Sequence, residues 1–213
     1  MKLLIIFLLA LLLLQGCASA PRVIAVPTEK QKTDYDGGVV SQKKHLVSVS
    51  HYSNFKMKKN SGKKNVFFYI VVQNCGEKPF SINRDNISVL FKAYGNKSKP
   101  LYIKSINEFI LDINTVNTKT PTSFLPGNSG KSVSRESFEH MLQDEKDKRH
   151  ELEALKDAAR KILLRPKTIL PDDANGGIIV CDGREIGKRT RGNFIINILV
   201  DNEIHEFTFA RFI

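Results

Sequence analysis

The chain has 213 residues and a formal net charge of +11, from 33 lysines and arginines against 22 aspartates and glutamates. This length suits one domain with a substantial core, and the basic surplus favours anionic partners, unless the lysines only keep the surface soluble. The three cysteines include no C-x-x-C pair, so the composition gives no support for thiol redox catalysis.

The chain begins with an apolar segment. Residues 3–14 are twelve apolar residues in a row, a length typical of a signal-peptide core and short of the roughly 18 that a membrane span needs. The next residues complete the motif LQGC, in which the small Gly16 precedes Cys17. An ordinary secretory signal and an uncleaved helix are the alternatives for this segment.

The motif resembles the lipobox of bacterial lipoproteins. The resemblance implies that residues 1–16 are a leader removed on export, and that Cys17 becomes a triacylated N-terminus carrying palmitate-type chains. Two or more acyl chains anchor a protein stably in a membrane. By the sorting rules of such lipoproteins, Ala18 after the cysteine implies the outer membrane, facing the periplasm.

The next segment is polar and rich in proline and glycine. Residues 17–43 are therefore predicted to form a flexible tether, and residues 44–213 the domain. Within this domain, five strands are predicted before the middle of the chain. They are Leu46–His51, Val66–Val72, Phe80–Ile82, Ile87–Phe91 and one strand within Leu101–Leu111.

Two of these segments carry a particular expectation. Val66–Val72 is entirely apolar, which indicates a central strand covered on both faces. Residues 134–165 instead have apolar side chains at helical spacing, which predicts one long inserted helix. Its middle, 143–151, carries charge without an apolar stripe, so it is either a solvated face or a contact for a protein partner.

The C-terminal third returns to strands, within 168–171 and 176–181 and in a final hairpin. A two-residue turn at Asp201 and Asn202 sets the register of that hairpin. The predicted pairs are Ile198 with His205, Ile196 with Phe207 and Phe194 with Phe209 on an apolar face, and Leu199 with Ile204, Asn197 with Glu206 and Ile195 with Thr208 on a mixed face.

These elements predict a mainly β fold, an immunoglobulin-like antiparallel β-sandwich with one inserted long helix. The strand segments 168–171 and 176–182 and the hairpin resemble the C-terminal part of uncharacterised bacterial envelope lipoproteins. Those proteins carry a variable helical insert before a similar glycine-containing strand and a final hairpin. The resemblance covers about the last 50 residues together with the lipobox, and it implies no known activity.

Two further cysteines and two basic segments are the remaining candidate sites. Cys75 and Cys181 either form a disulfide, which an exported protein can keep, or remain two unpaired thiols. The basic segments would form an anionic-surface contact if they protrude from the same end of the sandwich. Their residues are Lys56, Lys58, Lys59, Lys63 and Lys64 in the first segment and Arg184, Lys188, Arg189 and Arg191 in the second.

Other motifs are weak. Residues 127–132 read GNSGKS, but position 125 is leucine where a phosphate-binding loop needs glycine, so a turn is predicted there. The five histidines have no metal-ligand spacing, and no catalytic, metal or cofactor motif is recognised. An envelope address makes nucleic acid the less expected anion. The sequence thus favours a lipid-anchored binding or structural module over a periplasmic enzyme of unrecognised type. An accessory part of an envelope or secretion assembly is one form that such a module takes.

Overall fold

The computed structural model describes residues 22–34, 37–53, 65–95, 98–117, 135–187 and 189–212. Predictions for residues 1–16, Cys17, Lys56, Lys58, Lys59, Lys63, Lys64, 127–132 and Lys188 fall outside these ranges. The strands are β1 (Arg22–Ala25), β2 (Gln31–Thr33), β3 (Val39–Gln42), β4 (Leu46–His51), β5 (Asn65–Gln73), β6 (Phe80–Ile82), β7 (Ile87–Ala93), β8 (Ser98–Leu101), β9 (Lys167–Ile169), β10 (Ala174–Asp182), β11 (Gly192–Val200) and β12 (Glu203–Phe212). The helices are α1 (Ile106–Asn117), α2 (Arg135–Ile162) and a 3₁₀ turn at Arg84–Asn86.

The fold is mainly β and antiparallel, as the sequence predicts. The first sheet has the order β1-β12-β11-β7-β8, and the second sheet has the order β10-β5-β4-β3-β2. A separate pair, β6 with β9, completes the strands of the described residues. Every pairing between neighbouring strands is antiparallel.

The two sheets bury their facing sides against each other. Phe68 of β5 has its ring centroid 5.5 Å from that of Phe194 and 5.3 Å from that of Phe209, both on the first sheet. All three side chains are fully buried. Burying one such side chain contributes roughly 1.5–3 kcal/mol, so this aromatic cluster is a main source of the attraction between the sheets.

The helices cover part of the outer face of the second sheet, over β5 and β10. Phe67 of β5 packs against Phe109 of α1, with ring centroids 5.7 Å apart. Val180 of β10 and Ala159 of α2 belong to the same buried cluster. Phe67 and its neighbour Phe68 point to opposite faces and are both buried, so the predicted coverage of both faces is confirmed at this part of β5. Further along the outer face, Tyr69 is 41% exposed.

The C-terminal hairpin has the predicted register. All six predicted pairs are present between β11 and β12. The turn residues Asp201 and Asn202 have φ angles of 43° and 67°, a conformation that aspartate and asparagine tolerate better than most residues.

The prediction of a flexible tether over 17–43 is corrected for its described part. Residues 22–25 form β1 and pair with β12, while residues 31–33 and 39–42 form β2 and β3 of the second sheet. The ordered domain therefore includes Arg22 instead of beginning at residue 44. The sequence did not predict β1 and β2 because they are short edge strands whose side chains are largely exposed, so they lack an apolar pattern.

The prediction of a strand within Leu101–Leu111 is wrong beyond Ile103, because α1 begins at Ile106. Ser105 caps this helix: its hydroxyl accepts from the Glu108 backbone N–H at 3.3 Å, and the Glu108 carboxylate accepts from the Ser105 N–H at 2.6 Å. This reciprocal pair is a capping box, readable as S-x-x-E. The long insert predicted at 134–165 is present as α2.

Candidate functional site

One end of the sandwich gathers three connections. Asp182, the last residue of β10, pairs with Asn65, the first residue of β5. Segment 183–191 then crosses to Gly192, the first residue of β11, which pairs with Ala93 at the end of β7. The β4–β5, β7–β8 and β10–β11 connections therefore leave the sandwich at one end, which we call the basic end.

The chain also enters the domain at the basic end. Arg22, the first residue of β1, pairs with Phe212, the last residue of β12. The opposite end, which we call the far end, carries the connections at 74–79, 170–173 and 201–202. Since β5 and β11 each have nine residues, the two ends lie about 30 Å apart.

The basic end is where the described chain stops and resumes around the first basic segment, and where the second basic segment lies. Segment 54–64 lies outside the described residues, but Ser53 and Asn65 on either side of it are at this end. It has five lysines and no acidic residue. The second segment, 183–191, has four basic residues against Glu185. The strand ends on either side of segment 54–64 therefore lie at the end from which segment 183–191 leaves, and a shared cationic surface stays a prediction.

The second basic segment presents charge to solvent. The side chains of Arg189 and Arg191 are exposed, and neither has an acidic partner among the residues that the structure describes. A backbone hydrogen bond from Thr190 to Gly187 at 3.1 Å and one from the Tyr94 N–H to the Arg191 carbonyl at 3.3 Å fix the segment. The two guanidinium groups are thus available to an anion outside the domain.

Arg184 has a different role from Arg189 and Arg191. Its guanidinium donates to the Asp182 carboxylate with N···O distances of 2.7 and 2.5 Å, and its backbone N–H donates to the same carboxylate at 3.0 Å. Burial alone would raise the pKa of Asp182, but the hydrogen bonds from Arg184 and the charge of Lys104 lower it overall. The predicted site residue Arg184 therefore has part of its charge neutralised within the fold.

A half-buried ion network joins the basic end to α1. The ammonium group of Lys104 lies 2.5 Å from the carboxylate of Asp112 and 3.8 Å from that of Asp182. Its side chain is only 8% exposed. The Asn65 amide donates to Asp112 at 3.1 Å. Charges this far from water stabilise only as a complete set, so the network fixes α1 against the ends of β5 and β10.

Glu108 belongs to the same side of the molecule. The Tyr102 hydroxyl donates to its carboxylate at 2.7 Å. This hydrogen bond, followed by those from Ser105, lowers the pKa of Glu108 to about 2. The carboxylate is thus ionised at any physiological pH and serves the helix cap.

Several charges of the far end are paired with one another instead. The Lys44 ammonium lies 2.5 Å from the carboxylate of Asp201, in the turn of the C-terminal hairpin. The ring of His45 is fully buried, with Nε2 3.3 Å from the same carboxylate and the ring centroid 4.7 Å from that of Phe80. These contacts hold the start of β4 against the turn between β11 and β12.

A second buried histidine lies on the apolar face of the hairpin. The Nδ1 atom of His205 is 3.1 Å from the Ser41 hydroxyl, and its Nε2 atom is 3.8 Å from the Glu203 carboxylate. Its side chain is fully buried. Burial, together with the charge of Lys43, lowers the pKa of His205. The ring is therefore kept neutral inside the sandwich.

Of the two alternatives left open for Cys75 and Cys181, the structure has the two unpaired thiols. Cys75 follows β5 at the far end, whereas Cys181 pairs with Val66 at the basic end. Their separation along β5 is about 30 Å, and a disulfide needs Cα atoms within about 7 Å. Both thiols are free; Cys75 is exposed, and burial raises the pKa of the Cys181 thiol.

Among the described residues, no three histidine, cysteine or acidic side chains are grouped so that they could hold a metal ion. Within the same ranges, no helix is both long enough and apolar enough to cross a bilayer. Comparisons with protein-family models, curated proteins and solved structures gave no match. The candidate site therefore rests on its own geometry.

Proposed function

We propose that this chain is a lipid-anchored protein of the bacterial envelope, a binding or structural module whose basic end contacts anionic envelope material. The observation that carries the proposal is that exposed Arg189 and Arg191 lie at the end of the sandwich where β1 begins and where β4 and β5 connect. Head-group phosphates and the phosphates of lipopolysaccharide offer the matching charge.

The anchor in this proposal is Cys17. The apolar run of residues 3–14 and the LQGC motif support export and acylation, and Ala18 supports the outer membrane, facing the periplasm. Mass spectrometry of the purified mature protein should show a chain beginning at Cys17 with added lipid mass. An intact leader without added lipid would contradict both the anchor and the location.

We further propose that the sandwich is immunoglobulin-like. With β4, β5 and β10 taken as strands A, B and E, and β8, β7, β11 and β12 as C′, C, F and G, the strand neighbours agree with that arrangement. The two helices then form an insert between C′ and E. An experimental structure in which β5 and β10 are not neighbours would contradict this assignment.

The test of the basic end uses the chain from residue 18 onward, which lacks only the leader and the acylated cysteine. We expect it to bind vesicles containing anionic phosphatidylglycerol at low salt and to be released as salt rises, because screening shortens the range of exposed charges. Changing Lys56, Lys58, Lys59, Lys63, Lys64, Lys188, Arg189 and Arg191 to serine should abolish this binding.

The control for this test keeps the mutations at the far end. Lys30 and Lys78 are exposed and lie away from the basic end, so changing both to serine should leave vesicle binding nearly unchanged. Binding that is insensitive to salt, or equal loss in both sets of variants, would argue against the basic end as the site.

Helix α2 supports an accessory role in an assembly. The side chains of residues 146–151 are exposed along this helix, so they are accessible to a protein partner. A photo-reactive residue at position 147 should cross-link to one defined envelope protein in cells. Cross-linking to no protein above the background of a probe at Lys78 would leave α2 as a solvated helix.

A further inference from the structure

We infer that the domain stands on the membrane that holds its own lipid anchor, with the basic end against the anionic phospholipid head groups and the far end pointing away. This inference rests on the proposed acylation of Cys17. It adds an orientation and names one source of anion, the bilayer of the anchor, among those that the basic end could contact.

The length of chain between the anchor and the domain limits the orientation. Arg22 already belongs to β1, so five residue steps separate it from Cys17. Even fully extended, five residues span at most about 18 Å. The two ends of the sandwich are about 30 Å apart. With the far end on the membrane, Arg22 would be beyond the reach of the anchor, which excludes that pose.

Charge decides between the poses that remain. With the basic end down, Arg189 and Arg191 face the head groups, and neither has an acidic partner among the described residues. The nearest acidic groups are already engaged: Asp182 binds Arg184, and Glu185 lies 3.8 Å from Lys99. The basic end therefore meets an anionic surface without facing unpaired carboxylates of its own loop.

Two exposed aromatic side chains support the same pose. Tyr94 is 58% exposed in the β7–β8 connection, and Phe212 is 45% exposed at the last position of β12. Both lie at the basic end, beside the arginines. Tyrosine favours the boundary between head groups and acyl chains, where its ring is apolar and its hydroxyl is solvated.

The test places one fluorescent probe at each end of the lipidated full-length protein, reconstituted in vesicles that contain a spin-labelled quencher lipid. The native thiol of Cys75 takes the far-end probe, since it is exposed and Cys181 is buried. For the basic end, Cys75→Ser is combined with Glu185→Cys. The side chain of Glu185 is 72% exposed, and a probe at this position leaves every arginine unchanged.

In phosphatidylcholine vesicles with 30% phosphatidylglycerol, we expect the probe at position 185 to be quenched at least about fivefold more than the probe at Cys75. The difference should shrink in 1 M salt, where the screening length falls to about 3 Å, and in vesicles of phosphatidylcholine alone. Equal quenching of the two probes, which a domain lying on its side would give, overturns the inference. Stronger quenching at Cys75 overturns it as well.

Failure of the orientation can be told apart from failure of the proposed function. The anchor is verified on the same sample by its lipid mass, and anion binding is measured separately with the chain that lacks the anchor. A lipidated protein that binds anionic vesicles in that assay, but shows no difference between the probes, retains the function and loses the orientation. A protein without lipid mass loses the proposed anchor, and the orientation is refuted with it.

Discussion

The two ends of the sandwich use their charges in opposite ways. At the far end, Lys44 and Asp201 are paired, and two histidine rings are buried between the hairpin and the second sheet. At the basic end, Arg189 and Arg191 are exposed without acidic partners in the described chain. At the far end these polar groups stabilise turns, whereas at the basic end the two arginine side chains stay exposed to solvent.

The basic end is not uniformly available, however. Arg184 and Lys104 are bound to Asp182, so two of its cations stabilise the fold. The cations of the basic end therefore fall into two groups. The inner layer is the ion network of Lys104 and Arg184, which fixes α1, and the outer layer is the exposed pair Arg189 and Arg191, which form no ion pair within the described residues. Changes to the inner layer should alter stability, and changes to the outer layer should alter binding alone.

The largest expected effect tests the inner layer. Asp182→Asn removes one of the two carboxylates that face Lys104 and leaves only that of Asp112. We therefore expect the free energy of unfolding to fall by about 2 kcal/mol. The same change removes a negative charge, so vesicle binding should become stronger. Glu185→Gln is the control, since its carboxylate is exposed. It should strengthen binding without loss of stability in urea unfolding.

The next effect tests the outer layer. Replacing Arg189 and Arg191 by serine should weaken binding to anionic vesicles about 30-fold, because each cation near such a surface contributes about 1 kcal/mol. Replacing Lys30 and Lys78 by serine removes the same charge from elsewhere on the surface and should change affinity less than about threefold. Unfolding in urea should be unchanged in both variants. Equal effects on affinity would show that only net charge matters.

The far end should respond to pH near neutrality. The pKa of His205 is lowered by burial, so the unfolded chain, with an ordinary value near 6.5, takes up the proton first as the pH falls. The free energy of unfolding should therefore be unaffected by His205 above about pH 6.5. Below that pH it should fall by at most about 1.4 kcal/mol per pH unit. His205→Gln should flatten this dependence between pH 6.5 and 5. His150→Gln, at an exposed position of α2, should leave it unchanged.

The smallest effect lies next to the basic end and at much lower pH. The pKa of Glu108 is lowered to about 2, so its contribution is present above the ordinary glutamate value and is lost as the pH falls towards 2. We expect Glu108→Gln to cost about 0.5 kcal/mol at pH 7, because the side chain is partly exposed. The difference from the unchanged protein should vanish near pH 2. A difference that persists there would mean that the carboxylate charge is not its source.

Several elements could be predicted from the sequence because their information is local. The register of the C-terminal hairpin follows from two turn residues and the alternation on either side of them, and it is confirmed pair by pair. The double coverage of β5 follows from its unbroken apolar run. The S-x-x-E signature at Ser105 was equally local and would have replaced the predicted strand by α1.

Other features could not be predicted because they depend on which strands become neighbours. The strands β1 and β2 have little apolar pattern of their own, and they are stable only because β12 and β3 offer hydrogen-bonding edges. A disulfide between Cys75 and Cys181 stayed open in the sequence because each cysteine lies at the end of a predicted strand. Only the antiparallel pairing of β5 with β10 shows that these are opposite ends.

The amino-acid sequence by itself determined the basic composition, the leader-like start and the alternation of apolar residues in the C-terminal hairpin, since these depend on neighbouring residues alone. The tertiary structure decided that residues 54–64 and 183–191 connect at one end, and that the chain enters the domain beside them. Strand pairing joins positions more than a hundred residues apart, so no local pattern could have placed these charges together.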